Sequence, residues 1–273
     1  KIDGKDHQDY VTWLNMPAAR TDILSTANDL IYMRSQAFNY DGTRLPLKAK
    51  AWNGQADMGA PPPDQDTDHS HLFAATGFLD DTGWHRTYWI YGSDFYSGWA
   101  GYPTAGKVTP AGKILTTDDE MVYGFGRLPQ FWRWTTPLEF HVFATPKSAV
   151  GQMGNRARAA RRQTSEKSHG YAWVQRYPIL VRAMVKTGDT IFLAGPRDVI
   201  DETAMRPDSP VQEQVAAWQG KDGAVMMAIS AADGSKQATY DLSAVPRFDG
   251  LIAAGGNLYF TTTDGKLVRW GKK

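Results

Sequence analysis

Residues 184–193 read MVKTGDTIFL, and this ten-residue pattern recurs without gaps as ILSTANDLIY (23–32), ILTTDDEMVY (114–123) and LIAAGGNLYF (251–260). Each copy has two apolar residues, a variable position, a small residue, a short turn rich in Asn, Asp or Gly, and a second apolar run. The physical reading is a short strand, a tight turn and a second strand. Asn, Asp and Gly supply the positive φ such turns need. A fifth stretch, GFLDDTGWHRTYWIYG (77–92), follows the same grammar with a more aromatic second strand.

Two copies continue into further hairpins. AVMMAISAADGSKQATYDL (224–242) and TTTDGKLVRWG (261–271) each read strand, Asp-Gly turn, strand. Four short antiparallel strands per repeating unit is the signature of a β-propeller blade. The expected fold is therefore all-β, a β-propeller of four-stranded antiparallel blades. About five units span 1–273, with insertions near 43–70, 148–170 and 197–222. The ring is expected to be completed by preceding sequence or another chain. Two helical candidates, GNRARAARRQT (154–164) and PVQEQVAAW (210–218), fall inside the insertions, and MGAPPPDQDTDHSH (58–71) reads as an exposed loop.

With 42% apolar residues and 12% aromatics, 273 residues can bury a sizeable core. A net charge of +1, from 30 basic and 29 acidic residues, gives no global field toward nucleic acid or an anionic membrane. The absence of cysteine excludes disulfides, thiolate metal sites and a cysteine nucleophile. No apolar run approaches the roughly 18–20 residues that span a bilayer. The start, KIDGKDHQDY, lacks an initiator Met and any signal-peptide pattern, so a processed product or part of a longer polypeptide is expected.

The segment AISAADGSKQATYDL (228–242) resembles the repeat of the pyrroloquinoline-quinone-like β-propellers. There, a strand, a "DG–K" turn and a strand ending in an aromatic recur. The stretches HLFAATGFLDDTGWHRTYWIYG (71–92), AGKVTPAGKILTTDDEMVYGFG (105–126) and RWTTPLEFHVFA (133–144) resemble the C-terminal half of large secreted planctomycete-type proteins. Those proteins carry propeller repeats related to the outer-membrane assembly lipoprotein family. The resemblance implies the propeller fold and a periplasmic or secreted location. Two departures matter. Ser230 stands where the repeat has Asp, and Tyr240 replaces its Trp, so docking of blade on blade is expected to be incomplete. Quinoprotein dehydrogenases also set two adjacent cysteines against the cofactor, and this chain has none, so no cofactor is carried over.

Candidate binding residues come from aromatic and arginine clusters, the composition of interface hot spots. Trp84, His85, Arg86 and Trp89 form one cluster; Arg127, Phe131, Trp132 and Arg133 form the other. In the first, strand alternation puts Trp84, Arg86, Tyr88 and Ile90 on one face and His85, Thr87, Trp89 and Tyr91 on the other. Both faces carry aromatic bulk, so both are expected to be covered, with blade packing as the leading reading and a partner surface second. Asp64, Asp66, Asp68, His69 and His71 alternate like the start of a calcium loop. An EF-hand needs Gly sixth and Glu twelfth, where this chain has His69 and Ala75, so the default is a solvated acidic loop and no metal site is assigned. Arg156, Arg158, Arg161 and Arg162 read as a solvated insertion. There is no Gly-rich phosphate loop, GxSxG elbow or HExxH, and no catalytic residue is assigned.

The expected function is a non-catalytic extracytoplasmic β-propeller, an interaction or scaffold module. Its expected partner is a protein or the remaining blades of a larger polypeptide. Glycan stacking would use the same aromatic residues. The alternative is a degenerate quinoprotein dehydrogenase or a polysaccharide-active propeller domain.

Overall fold

The computed structural model describes residues 24–33, 36–45, 70–74, 89–92, 110–127, 140–148, 170–201 and 208–271. The chain divides into two compact units: residues 1–115 with 129–136 and 146–170, and residues 116–128, 137–145 and 171–273. Among the described residues the chain is all-β, with five antiparallel sheets of three or four strands and one short α-helix. Every sheet is a meander, its strands lying side by side in chain order.

In the first unit, β1 (Leu24–Ala27), β2 (Leu30–Met33) and β3 (Gln36–Phe38) form one sheet. β4 (His71–Ala74), β5 (Trp89–Gly92) and β6 (Ala111–Gly112) form the next. β1 lies beside β4, so the two sheets meet through their first strands. Phe73, Ile90 and Ala111 lie in one cross-strand row of β4, β5 and β6 and make a small buried cluster. The fifth sequence copy corresponds to this second sheet. Its described residues, Trp89–Gly92, pair with His71–Ala74, upstream of the Gly77 at which the repeat was drawn; 75–88 lie outside the described residues. Trp89 is half-buried, while Ile90, Tyr91 and Gly92 are buried. Both faces of β5 are covered, as its two-sided aromatic character implied.

Three further sheets follow among the described residues. One sheet contains β7 (Ile114–Thr117), β8 (Met121–Arg127), β9 (Phe140–Pro146) and β10 (Trp173–Gln175). Then come β11 (Ala183–Thr187), β12 (Thr190–Gly195), β13 (Ala224–Ser230) and β14 (Lys236–Leu242). The last sheet is β15 (Pro246–Ala254), β16 (Asn257–Thr262) and β17 (Leu267–Gly271), with β15 beside β11.

All four ungapped sequence repeats are hairpins joining the first and second strands of their sheets. Asn28 and Asn257's neighbours show why. Asn28 and Asp29 (φ 52° and 56°) and Gly255 and Gly256 (φ 55° and 73°) make two-residue turns with both central residues left-handed, the form whose twist matches the flanking strands. Ala27 then pairs with Leu30, Thr187 with Thr190 and Ala254 with Asn257, so the register is set by the turn. The copy at 114–123 has a longer turn, closed by Asp118 Oδ1 accepting the amides of Glu120 (3.0 Å) and Met121 (2.8 Å).

Burial follows strand position. β13 runs AVMMAIS with its first six residues buried, so both of its faces are covered, whereas the outer strand β14 is almost wholly exposed. Between the last two sheets, Ala183, Ala194, Ala224 and Met226 face Leu251, Leu258 and Phe260. Small side chains on one sheet leave room for large ones on the other, so the layers interdigitate. Each large side chain buried here contributes about 2 kcal/mol. The helix α1 (Val211–Trp218) forms within the stretch expected to be helical and lies in the connection from β12 to β13. The other helical candidate, 154–164, lies outside the described residues. No described helix is long and apolar enough to cross a membrane.

Candidate functional site

Of the residues proposed from the sequence, Trp89 stands in the central strand β5, half-buried, opposite Ala74 and Gly112. Arg127 is the last residue of β8. Trp84, His85, Arg86, Phe131, Trp132 and Arg133 lie outside the described residues, as do Asp64, Asp66, Asp68 and His69. His71 is buried in β4 and stacks on Tyr32, ring centroids 3.6 Å apart. Among the described residues, no three His, Asp or Glu converge as a metal site would require.

Among the described residues, an ionisable cluster sits where the sheet β7–β10 meets the sheet β11–β14. The β7–β8 turn supplies Asp118, β8 supplies Tyr123 and β11 supplies Lys186. Lys186 Nζ lies 3.0 Å from Asp118 Oδ2, 2.9 Å from the Gly188 carbonyl and 5.6 Å from the centre of the Tyr123 ring. The Tyr123 hydroxyl donates to the same Oδ2 at 3.0 Å. Desolvation pushes the Asp118 carboxyl up, but hydrogen bonds from Lys186, the two turn amides and Tyr123 outweigh it and hold the group at about 2. Burial, then the hydrogen bond and charge of Asp118, push Tyr123 up to about 12.

These values say what the cluster can do. A general acid or base works best with a pKa near the working pH. Here the carboxylate is locked ionised, the phenol locked protonated and the ammonium paired. The cluster is a staple between two hairpins.

Its stability contribution depends on pH in a defined direction. Asp118 is depressed in the folded state, so its contribution is present above the ordinary carboxylate range and lost as pH falls from about 4 to about 2. With the side chain about a third exposed, solvent screening reduces the effect to about 1 kcal/mol. Asp118→Asn is expected to lower the urea midpoint at pH 6 and to converge with the wild type near pH 2. A gap that stays constant across that range would contradict the staple.

A second junction uses Trp173, the first residue of β10. Its indole Nε1 donates to the Ala231 carbonyl in the β13–β14 turn at 2.9 Å, and its ring tilts against Tyr123 at 6.3 Å. The Tyr177 hydroxyl donates to the Gly234 carbonyl of the same turn. One sheet further on, Tyr240 of β14 meets Trp270 of β17 edge-on, centroids 4.6 Å apart. Tyr240, which stands where the quinone-type repeat has Trp, thus contacts a tryptophan of the neighbouring sheet.

Sequence reasoning passed over the surface around α1. Val211, Val215 and Trp218 are all exposed and fall at i, i+4 and i+7, on one helical face. The Arg182 guanidinium lies over the Trp218 ring, 4.9 Å from its centre. The spacing of the two valines and the tryptophan was legible; the arrival of Arg182, 36 residues upstream of Trp218, was not. No protein-family model matches the chain, and no curated protein matches it.

Proposed function

We propose that the antiparallel sheets are blades of a β-propeller, and that the protein is a non-catalytic module outside the cytoplasm that binds or scaffolds another protein. The observation that carries this reading is the repeated placing of first strands side by side, β1 beside β4 and β11 beside β15. Blades radiating from an axis need their innermost strands to be neighbours. The locked Asp118–Tyr123–Lys186 cluster adds to it, since it joins two sheets. The extracytoplasmic location rests on the resemblance to secreted propeller proteins, and the partner is a protein or further blades of a longer polypeptide.

The test is the absorbance spectrum of the purified protein with metal analysis. A colourless protein without stoichiometric metal is the expected result. A quinone chromophore in one-to-one amount would overturn the reading in favour of a quinoprotein dehydrogenase.

A further inference from the structure

Two arginines converge at the start of the last two sheets. Arg182 precedes β11, half-buried, with its guanidinium on Trp218. Arg247 lies in a bulge of β15: Pro246 pairs with Thr262 and Leu251 with Phe260, so residues 247–250 oppose Thr261 alone. Bulges re-aim side chains, and this one turns Arg247 outward while its backbone docks on Arg182, Asp249 N–H donating to the Arg182 carbonyl at 2.7 Å.

Neither guanidinium is in an ion pair among the described residues. Arg247 makes only a long 3.4 Å hydrogen bond to the Thr263 carbonyl. Asp249, on the same bulge, forms no ion pair with either. Burial lowers the Arg182 pKa from its ordinary value, and the nearby Arg247 charge adds to it. Arg197 nearby is different, being paired to Asp241 at 2.6 Å.

The apolar stripe of α1 borders the pair. Gln214 fixes the helix by bonding both the Val199 amide (2.8 Å) and the Arg197 carbonyl (3.1 Å). Val199, whose amide Gln214 holds, is exposed, as are Val211, Val215 and Trp218, and the Trp218 end of this apolar face meets Arg182. Glu213 falls on the opposite side of the helix.

We propose that this strip and the Arg182–Arg247 pair form a docking site for an acidic, apolar-containing segment of a partner protein. Carboxylates of the segment would take the guanidinium N–H groups, which fit a carboxylate in bidentate fashion, and its aliphatic or aromatic side chains would cover the strip. A protein segment fits better than an acidic glycan for two reasons. Arg182 occupies the Trp218 face on which a sugar ring would stack. Valines, moreover, offer sugar hydroxyls no hydrogen-bond partner. The proposal rests on the interaction-module reading above and names the face and chemistry it uses.

The test is selection of a random 12-residue peptide library displayed on phage against the whole protein, with Arg182→Gln/Arg247→Gln as counter-target. Arg247→Gln alone, at an exposed side chain, serves if the double variant does not fold. Enriched clones are expected to combine Asp or Glu with apolar residues, to bind the variants at least ~10-fold more weakly, and to weaken with salt. Three results would each overturn the proposal: no enrichment, clones without excess acid, or clones binding wild type and variant alike. Displacement of the clones by oligogalacturonate at lower concentration than by free peptide would also overturn it, in favour of a glycan. A quinone chromophore would remove the interaction reading itself. A colourless protein whose clones ignore the arginines would remove only this site.

Discussion

Trp173→Ala is expected to lower the unfolding free energy by about 3 kcal/mol, read as a lower guanidinium midpoint at unchanged slope. Three effects add. The indole stops filling the space between β10 and the β13–β14 turn. The Ala231 carbonyl loses its Nε1–H donor. Tyr123 loses the ring it tilts against, loosening the staple through which Asp118 and Lys186 also join the two sheets. Trp173→Phe separates these effects. It keeps most of the ring and removes only the donor, so about 1 kcal/mol is expected. If Trp173→Ala costs no more than Trp173→Phe, the two sheets are held together elsewhere and the junction described above is incidental.

Gly195→Ala is expected to cost about 3 kcal/mol for the addition of one methyl group. Gly195 ends β12, with Val225 of β13 on one side and the segment leading into β11 on the other. That segment bonds back across it: Arg182 N–H donates to Ala194 (2.9 Å) and Leu180 N–H to Pro196 (3.0 Å). The Leu180 carbonyl therefore lies against the Gly195 α-carbon, and a Cβ there would stand 2.1 Å from the oxygen. Both sides of that clash are backbone, so no rotamer relieves it. Either the segment 180–182 moves off β12 or the β12 end leaves β13. Arg182 would shift with the first response, so the variant should lose the library-selected peptides as well as stability. A melting temperature within a degree or two of wild type would show that the strand end gives way at little cost.

The hairpins were the most legible part of this protein. A turn such as Asn28-Asp29 or Gly255-Gly256 acts over four residues, and its backbone requirement is written in the residue types themselves. Central strands were legible for a related reason. A strand covered on both faces must be apolar at every position, and AVMMAIS cannot be read otherwise. Of the fifth unit only Trp89–Gly92 are among the described residues, where they pair with His71–Ala74. The sequence-picked binding clusters were chosen for density of aromatic and arginine residues, a local criterion. The surface that emerged around α1 has no such density.

Local chemistry therefore indicated, from the sequence alone, the four repeated hairpins and the residue types of their turns. Tertiary structure alone decided which hairpins share a sheet junction, and which charges are quenched and which left open. Asp118 and Lys186 are 68 positions apart, as are few residues a sequence reader would pair, and Arg182 meets Trp218 and Arg247 only after two sheets and a helix have packed. A turn depends on the φ preferences of two residues. An ion pair or a stacked guanidinium depends on where entire strands come to rest, which no short stretch of sequence encodes.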